Sequence, residues 1–413
     1  MPTPSTLTCE GYGMLKAFTL DLKAAGHHVS TTLDQRINHH SHPIEADNLT
    51  YISTSNQLTA LLPRILKTAD MSLVIAPERG GTLLRLVERV EETSCTSLNC
   101  PSETLRRFPG KLSVLRALKN AGVPVPRTIS IPCAAADEEV EETVEAVGYP
   151  AVLKPDDGAG CSGLNLILNR SQVNAAAKLV RRETSAETFL AQEYLPGIPA
   201  SVSLLCGGGS VMPLTLNRQL IKVGEPDVDS RYNGGMVPLE HPARAEALKI
   251  AKQAAEALGS LRGYVGVDLI LAEGRATVME VNLRLTTSYL GLRAVIKQNL
   301  AEIGIEVTLK GKQPTSLNIL GYALFSKVEV PPSNRASLLE RHREVFMPPI
   351  QLSPNSKVYA IIITSATTPE GTERKFNVLS KAFNLEGSQD LHGKGSRLGY
   401  RRSQHQGSPS SDF

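Results

Sequence analysis

The chain has 413 residues, 44 basic against 41 acidic side chains, and a formal net charge of +3, so no whole-chain field favours nucleic acid. Hydrophobic residues make up 41% and tryptophan is absent, which argues against base-stacking platforms and fits a folded chain of two to three domains. Six cysteines are scattered at 9, 95, 100, 133, 161 and 206 without a CxxC pair. A zinc site or disulfide framework is therefore not expected, and a reducing cytoplasmic setting is. No apolar run reaches 18 residues and the first residues lack a basic, apolar leader pattern, so no membrane association is expected.

In chain order, 12–25 carries Met14, Leu15, Phe18 and Leu22 at helical spacing. HHVSTTLD reads as a strand, MSLVIAP (71–77) as a buried strand, and Leu83, Leu86, Val87 and Val90 as the apolar face of the next helix. Alternating elements over 1–104 predict a small α/β domain. Glu78, beside Gly80 and Gly81, ends a strand, where such sheets place ligands, and is a candidate substrate contact. Histidines 27, 28, 39, 40 and 42 lack ligand spacing on one element and read as solvated. KLSVLRALKNAG is a helix opening at Lys111, and GVPVPRT is a connector into a first lobe at about 129–190. The helix at 137–147 is acidic outside and valine-lined inside.

YPAVLKPDDGAGCSGLNLIL places Lys154 at the end of a short apolar strand, followed by a loop with Gly158, Gly160, Ser162 and Gly163. GAGCSG matches the dinucleotide fingerprint in letters, but that motif needs a helix next, and here LNLIL predicts a strand. Strand, glycine loop, strand is instead a flap whose backbone N–H groups can lie over phosphates, with a lysine beside it. A structural hairpin turn is the plainer reading, although six residues exceed what a tight turn needs. Cys161 lies within the loop, either as a thiol sensitive to modification or as a small loop residue.

SVSLLCGGGSVMPLTLNRQLI predicts two strands around a glycine turn, with Arg218 and Lys222 as cations for phosphate or a substrate carboxylate. SRYNGGMVP (230–238) reads as a glycine-rich loop able to order over substrate, and HPARAEALKIAKQAAEALG as a helix. Then GYVGVDLILAEGRATVMEVNLR predicts two apolar strands joined at Glu273 and Gly274. Asp268 interrupts the first, Glu280 ends the second, and Asn282 and Arg284 follow. Buried carboxylates are costly unless paired or bound to a cation, and two acids with an amide offer hard oxygen ligands suited to Mg²⁺ (or Mn²⁺). Arg284 could then sit on developing phosphoryl charge. The bland alternative is two half-buried acids at strand ends. Beyond 310 come strands NILGYALFSKVEV and KVYAIIITSA and helices RASLLERHREV and ERKFNVLSKAF, predicting a small α/β appendage at 311–385. Residues 386–413 are polar and glycine- and serine-rich and are expected to be disordered.

Together these pieces over about 105–305 resemble the ATP-grasp family of carboxylate–amine ligases. The resemblance implies α/β and α+β architecture: an N-terminal α/β domain (1–104), two lobes clamping ATP (105–310, hinge near 190–197) and the C-terminal appendage. It implies that Lys154 and Lys111 contact ATP, that 158–163 form the mobile phosphate loop, and that FLAQEYLPG is the hinge against which adenine packs. There Glu193 and Leu195 would present backbone groups, with Gln192 nearby. Asp268, Glu280 and Asn282 fall on the family's Mg²⁺ ligands, and Arg284 on its phosphate-contacting arginine. Two departures stand out. The acid that usually holds the ribose is replaced by Ala200, and Asn-Pro-Arg reads Asn282-Leu283-Arg284.

NLRLTTSYLGLR, VIAPERGG and GYGMLKAF…DLKAAGHHVSTTLDQR are similar, more narrowly, to the branch that joins L-glutamate to tyramine in methanofuran-type cofactor biosynthesis. Related ligases, including one of pyrrolysine biosynthesis, share parts of the pattern. Two other readings stay open. One is an amino-acid or peptide ligase using another amine in a pocket shaped by Thr286, Thr287, Ser288 and Tyr289; the other is a non-catalytic ATP-binding module. Family members are often dimers, which leaves a homodimer open.

Overall fold

In a computed structural model, residues 5–37, 44–331, 339, 341–352 and 356–385 are described. The tail at 386–413 and most of the helix expected at RASLLERHREV lie outside the described residues. The chain opens with α1 (Ser5–Ala24), which starts earlier than its apolar spacing suggested. The N-terminal region then pairs β1 (Ser30–Asp34) in parallel with β2 (Asn48–Ile52), and β3 (Met71–Ser72) in parallel with β4 (Thr96–Ser97). Helices α2 (Ser55–Leu66) and α3 (Thr82–Glu91) lie between these strands. MSLVIAP is strand for only its first two residues. Beyond them the Asn99 amide replaces a neighbouring strand: its Oδ1 accepts from Val74 N at 2.7 Å and its Nδ2 donates to Val74 O at 2.9 Å.

The first lobe is an antiparallel four-stranded sheet, ordered β5 (Thr128–Pro132), β8 (Thr188–Glu193), β6 (Ala151–Pro155), β7 (Asn165–Ile167). It is backed by α6 (Asp137–Val147) and α7 (Val173–Glu183), whose Val140, Val144, Ala177 and Val180 meet Ile131, Leu153 and Phe189 in one core. Two short helices, α4 (Ser102–Arg107) and α5 (Lys111–Asn120), precede this lobe.

The second lobe is built on an eight-stranded antiparallel sheet. One half holds β9 (Ile198–Gly207), β10 (Ser210–Lys222), β11 (Arg231–Val237), β12 (Gly263–Ala272) and β13 (Arg275–Asn282). Helix α8 (Arg244–Ala257) lies on one face with α5, and α1, α9 (Ser288–Val295) and α10 (Leu300–Lys310) pack on the other. The sheet continues through β14 (Tyr322–Glu329), β16 (Tyr359–Ala366) and β15 (Val345–Ile350), covered by α11 (Pro369–Phe383).

Two expectations are corrected here. Residues 311–385 are not a detached appendage, because β14 pairs with β11 (Gly235↔Phe325, Val237↔Ala323) and extends the central sheet. For the same reason SRYNGGMVP is a strand rather than a loop. Its glycines serve close approach: at Gly234, with φ +121°, an added Cβ would stand 2.0 Å from Phe325 O. All six cysteines are free. Among the described residues no helix is long and apolar enough to cross a membrane.

Candidate active site

The two lobes face each other across a cavity of about 230 Å³ lined from both sheets and from the glycine loop. On the first lobe, β6 is buried throughout, so Lys154 enters an apolar strand at 6% exposure and must find an acceptor. Gln192 on the adjacent β8 supplies it: Lys154 Nζ donates to Gln192 Oε1 at 2.9 Å, and Gln192 Nε2 donates to Thr128 Oγ1 at 2.8 Å. Burial, aided by the like charge of Lys111, pulls the Lys154 ammonium down to about 8 although Glu280 opposes it.

On the second lobe the register sets Asp268 of β12 directly across from Glu280 of β13. Gln219 of β10 donates to Asp268 Oδ1 at 2.9 Å, and Asn282 Nδ2 donates to Asp268 Oδ2 at 3.2 Å. Burial and the neighbouring Glu280 raise the Asp268 carboxyl. Burial also pushes on Glu280, but Lys111 and Lys154 outweigh it and hold that carboxylate below its usual range. Such a pair repels itself, and its oxygens with the Asn282 amide oxygen are what a hard divalent cation can use. Among the described residues no three His, Cys, Asp or Glu side chains converge, so Asn282 is needed as the third donor.

Lys111 reaches the same point from the start of α5. Its Nζ lies 3.0 Å from Glu280 Oε1 and donates to Gly158 O at 2.5 Å. Asp156, two residues past Lys154, fixes that helix end by accepting from Lys111 N (3.1 Å, through its carbonyl) and from Leu112 N (2.8 Å, through Oδ1). Arg284 is held by Glu78 of the N-terminal region, Nε to Oε2 at 2.6 Å, and its pKa is raised by that carboxylate against the effect of burial. The glycine loop turns through positive φ at Gly160, Cys161 and Gly163, and Ser162 Oγ donates to Glu183 Oε2 at 2.5 Å.

A family model described as an ATP-grasp domain matches residues 109–288, and one described as a pre ATP-grasp 3 domain matches 27–105. The chain is 30% identical over 261 residues to the tyramine–L-glutamate ligase of Methanocaldococcus jannaschii, covering 62% of this chain and 68% of that protein. The chain belongs to the ATP-grasp family. The corresponding ligase of Methanocaldococcus fervens is 29% identical over 238 residues, 57% of this chain and 65% of its own length. Both alignments thus span about two thirds of those relatives. A Campylobacter jejuni biotin carboxylase in complex with β-γ-ATP shares the fold, at a TM-score of 0.70 with 16% identity, covering 90% of each chain. The protein is an ATP-dependent ligase of the carboxylate–amine class, and the family generally works with ATP and Mg²⁺ or Mn²⁺.

Within the ATP-grasp cleft, Lys111, Lys154, Gly158, Gly160, Ser162, Gln192, Glu193, Leu195, Asp268, Glu280, Asn282 and Arg284 all line the cavity. Gly163 lies just beyond it, where a Cβ would stand 2.9 Å from both Glu183 Cβ and Pro155 Cγ. The Glu193 N–H already donates to Arg127 O at 2.9 Å. Arg218 is not brought in: strand alternation turns it from the cavity and presents Gln219 and Ile221 instead. Lys222 likewise stays outside the lining. Ala200 faces the core, while its neighbours Pro199 and Ser201 face the cavity. Burial pushes the Cys161 thiol up to about 12, so it stays protonated and unreactive. Glu78, expected at substrate, is engaged with Arg284.

Sequence reasoning missed Gln219, Tyr232, Glu10 and Lys327. A lysine at the centre of the buried strand YALFSKVE was the signal for the last.

Proposed function

We propose that this ligase phosphorylates the carboxylate of L-glutamate with ATP and couples the resulting acyl phosphate to tyramine, within methanofuran-type cofactor synthesis. The observation that carries the catalytic part is the convergence of Lys111, Lys154 and Arg284 on the Asp268–Glu280 pair. The substrate part is supported by the likeness to the two methanogen ligases.

A free carboxylate does not condense with an amine at neutral pH, because an oxide is too poor a leaving group. Attack of a carboxylate oxygen on the γ-phosphorus breaks the bond to the bridging oxygen and releases ADP. The amine nitrogen then attacks the acyl carbon, the tetrahedral intermediate expels inorganic phosphate, and one proton leaves the nitrogen. Lys154, lying between Gln192 and the cavity, would exchange its amide partner for α- and β-phosphate oxygens. Lys111 would follow the phosphates while tethering Gly158. Asp268, Glu280 and Asn282 would hold a divalent cation, which when bound neutralises phosphate charge. Arg284, braced by Glu78, would face the transferring phosphoryl group and then the oxyanion.

The cavity lies below the roughly 300–1,000 Å³ usual for small-molecule sites, so the loop at 158–163 must lift to admit the nucleotide and then close against water. No protein nucleophile is needed. Homodimerisation, as in many family members, is compatible with this chemistry and is not required by it.

The test is ADP release from the purified chain with ATP, Mg²⁺ and L-glutamate, with and without tyramine. Tyramine-dependent ADP matched by an amide product is the expected result. ADP without preference for tyramine moves the amine to another compound, and ATP binding without turnover in any acid–amine pair sinks the ligase mechanism.

A further inference from the structure

The mechanism above leaves two buried charges at the same cavity unused. Glu10 of α1 lines the cavity, and its carboxylate pairs with Lys327 Nζ of β14, the two side chains being only 13% and 8% exposed. Both residues lie outside the stretches matched as family domains, 27–105 and 109–288. Their place is the phosphoryl end of the cleft. A Cβ on Gly160 of the glycine loop would stand 3.8 Å from Glu10 Oε1, and the Glu10 charge contributes to the raised pKa of Arg284. Beside them Tyr232 Oη shares a 2.8 Å hydrogen bond with Thr287, and both residues line the cavity.

Anchoring α1 does not require this pair. Asp21 of the same helix accepts from Arg293 Nη2 at 2.7 Å and from Tyr289 Oη at 2.6 Å, and Asn299 Nδ2 donates to its carbonyl at 2.7 Å. Cys9, Tyr12, Met14 and Ala17 add apolar packing. A buried ion pair contributes little net stability after desolvation, so this one, opening on a ligand cavity, calls for another role.

We propose that Glu10 and Lys327 form the head-group subsite for a zwitterionic α-amino acid substrate. This rests on the ligase reading and names what that site selects. The incoming ammonium takes the place of Lys327 at Glu10, and the incoming carboxylate takes the place of Glu10 at Lys327. Each buried charge therefore keeps an opposite partner throughout. A dicarboxylate without the ammonium splits the pair and leaves Glu10 buried beside another anion, which is the strongest form of rejection a polar pocket has. Glu10 and Lys327 thus act as specificity residues, separate from the groups that handle phosphate.

The experiment is calorimetric binding of L-glutamate, N-acetyl-L-glutamate and glutarate to the full chain. It is run with Mg²⁺ and a non-hydrolysable ATP analogue present. The wild type should bind L-glutamate tighter than either analogue by roughly 10²-fold or more. Glu10→Gln and Lys327→Met should each weaken L-glutamate by about tenfold or more while leaving nucleotide affinity unchanged. Equal wild-type binding of L-glutamate and glutarate, or no binding of any of them, overturns the subsite, as does wild-type affinity in Glu10→Gln. Should a variant fail to fold, the three-ligand comparison on the wild type still decides. Amine-dependent turnover on L-glutamate without this discrimination sinks the subsite and keeps the ligase; discrimination without turnover does the reverse.

Discussion

The carboxylate hairpin and the glycine loop face each other across one cleft, yet they are held by opposite means. Asp268 and Glu280 sit on paired strands whose register fixes them and whose other face is core: Val267, Leu269, Val278 and Val281 are buried beneath them. The loop at 158–163 has no strand partner. It is tied down by side chains, Lys111 to Gly158 O and Ser162 to Glu183, and shaped by positive φ at three successive turns. The lesson is a division of labour. Groups that must not move at the chemical step belong to the sheet, and groups that must move belong to a flap whose tethers are the same kind of polar contact that phosphate oxygens offer.

The comparison is broken most sharply from the rigid side. Glu280→Gln should lower ADP formation by about 10³-fold or more, because the substitution removes the charge and not the shape. Folding should survive, since losing the Lys111 pair is offset by relief of Asp268. Near-normal turnover at an unchanged melting temperature would refute the assignment of the hairpin to metal. Arg284→Ala should cost roughly 10²–10³ in kcat with a smaller change in the KM for ATP, as expected for a group acting on developing charge. A pure KM effect would make Arg284 a ground-state contact.

How far the site could be read in advance follows the same divide. The hairpin acids, Lys154 and the glycine loop were legible because each violates its surroundings: a charge inside an apolar strand, or three glycines where a fingerprint helix should begin. Arg218 was misread because alternation along β10, with a register shift between Gln219 and Ile221, decides which side chain meets the cleft, and a string of letters does not carry that shift. Residues 311–385 were misread as a separate unit because a strand that completes an existing sheet has the same local pattern as one that starts a new sheet. Glu78 was located but not understood: its 2.6 Å bond to Arg284 spans a sequence separation of 206, beyond the reach of any local signal.

A third measurement joins the two regions through Lys154. Its pKa, lowered to about 8 by burial, means that the free enzyme loses a cation from the phosphate site as pH rises through that value. For ATP, kcat/KM should therefore fall about tenfold per pH unit above 8. Lys154→Arg, which cannot lose its proton in that range, should remove the limb whatever it does to the absolute rate. A flat profile to pH 9.5 in the wild type would place the ammonium in a more polar environment than Gln192 and the strand core provide. Folding linkage has a definite sign as well. A lysine depressed in the native state favours unfolding at lower pH, so stability from this group increases as pH climbs from about 8 toward the usual lysine value.

The smallest effect sharpens the comparison from the mobile side. Ser162→Ala deletes the hydroxyl that donates to Glu183 and leaves every hairpin contact in place. One hydrogen bond near a charged acceptor is worth about 1.5–3 kcal/mol at most, and the phosphates replace it once ATP is bound. ATP affinity should then change by less than about tenfold, because the tether is already broken in the bound state. Amide exchange at 158–163 in the free protein should nevertheless rise, while the amides of Asp268 and Glu280 keep their protection. Equal acceleration in both regions would mean that the flap and the hairpin open as one unit, and the division of labour would fail. Acceleration confined to the flap would show that the lid can be loosened without disturbing the carboxylates it covers.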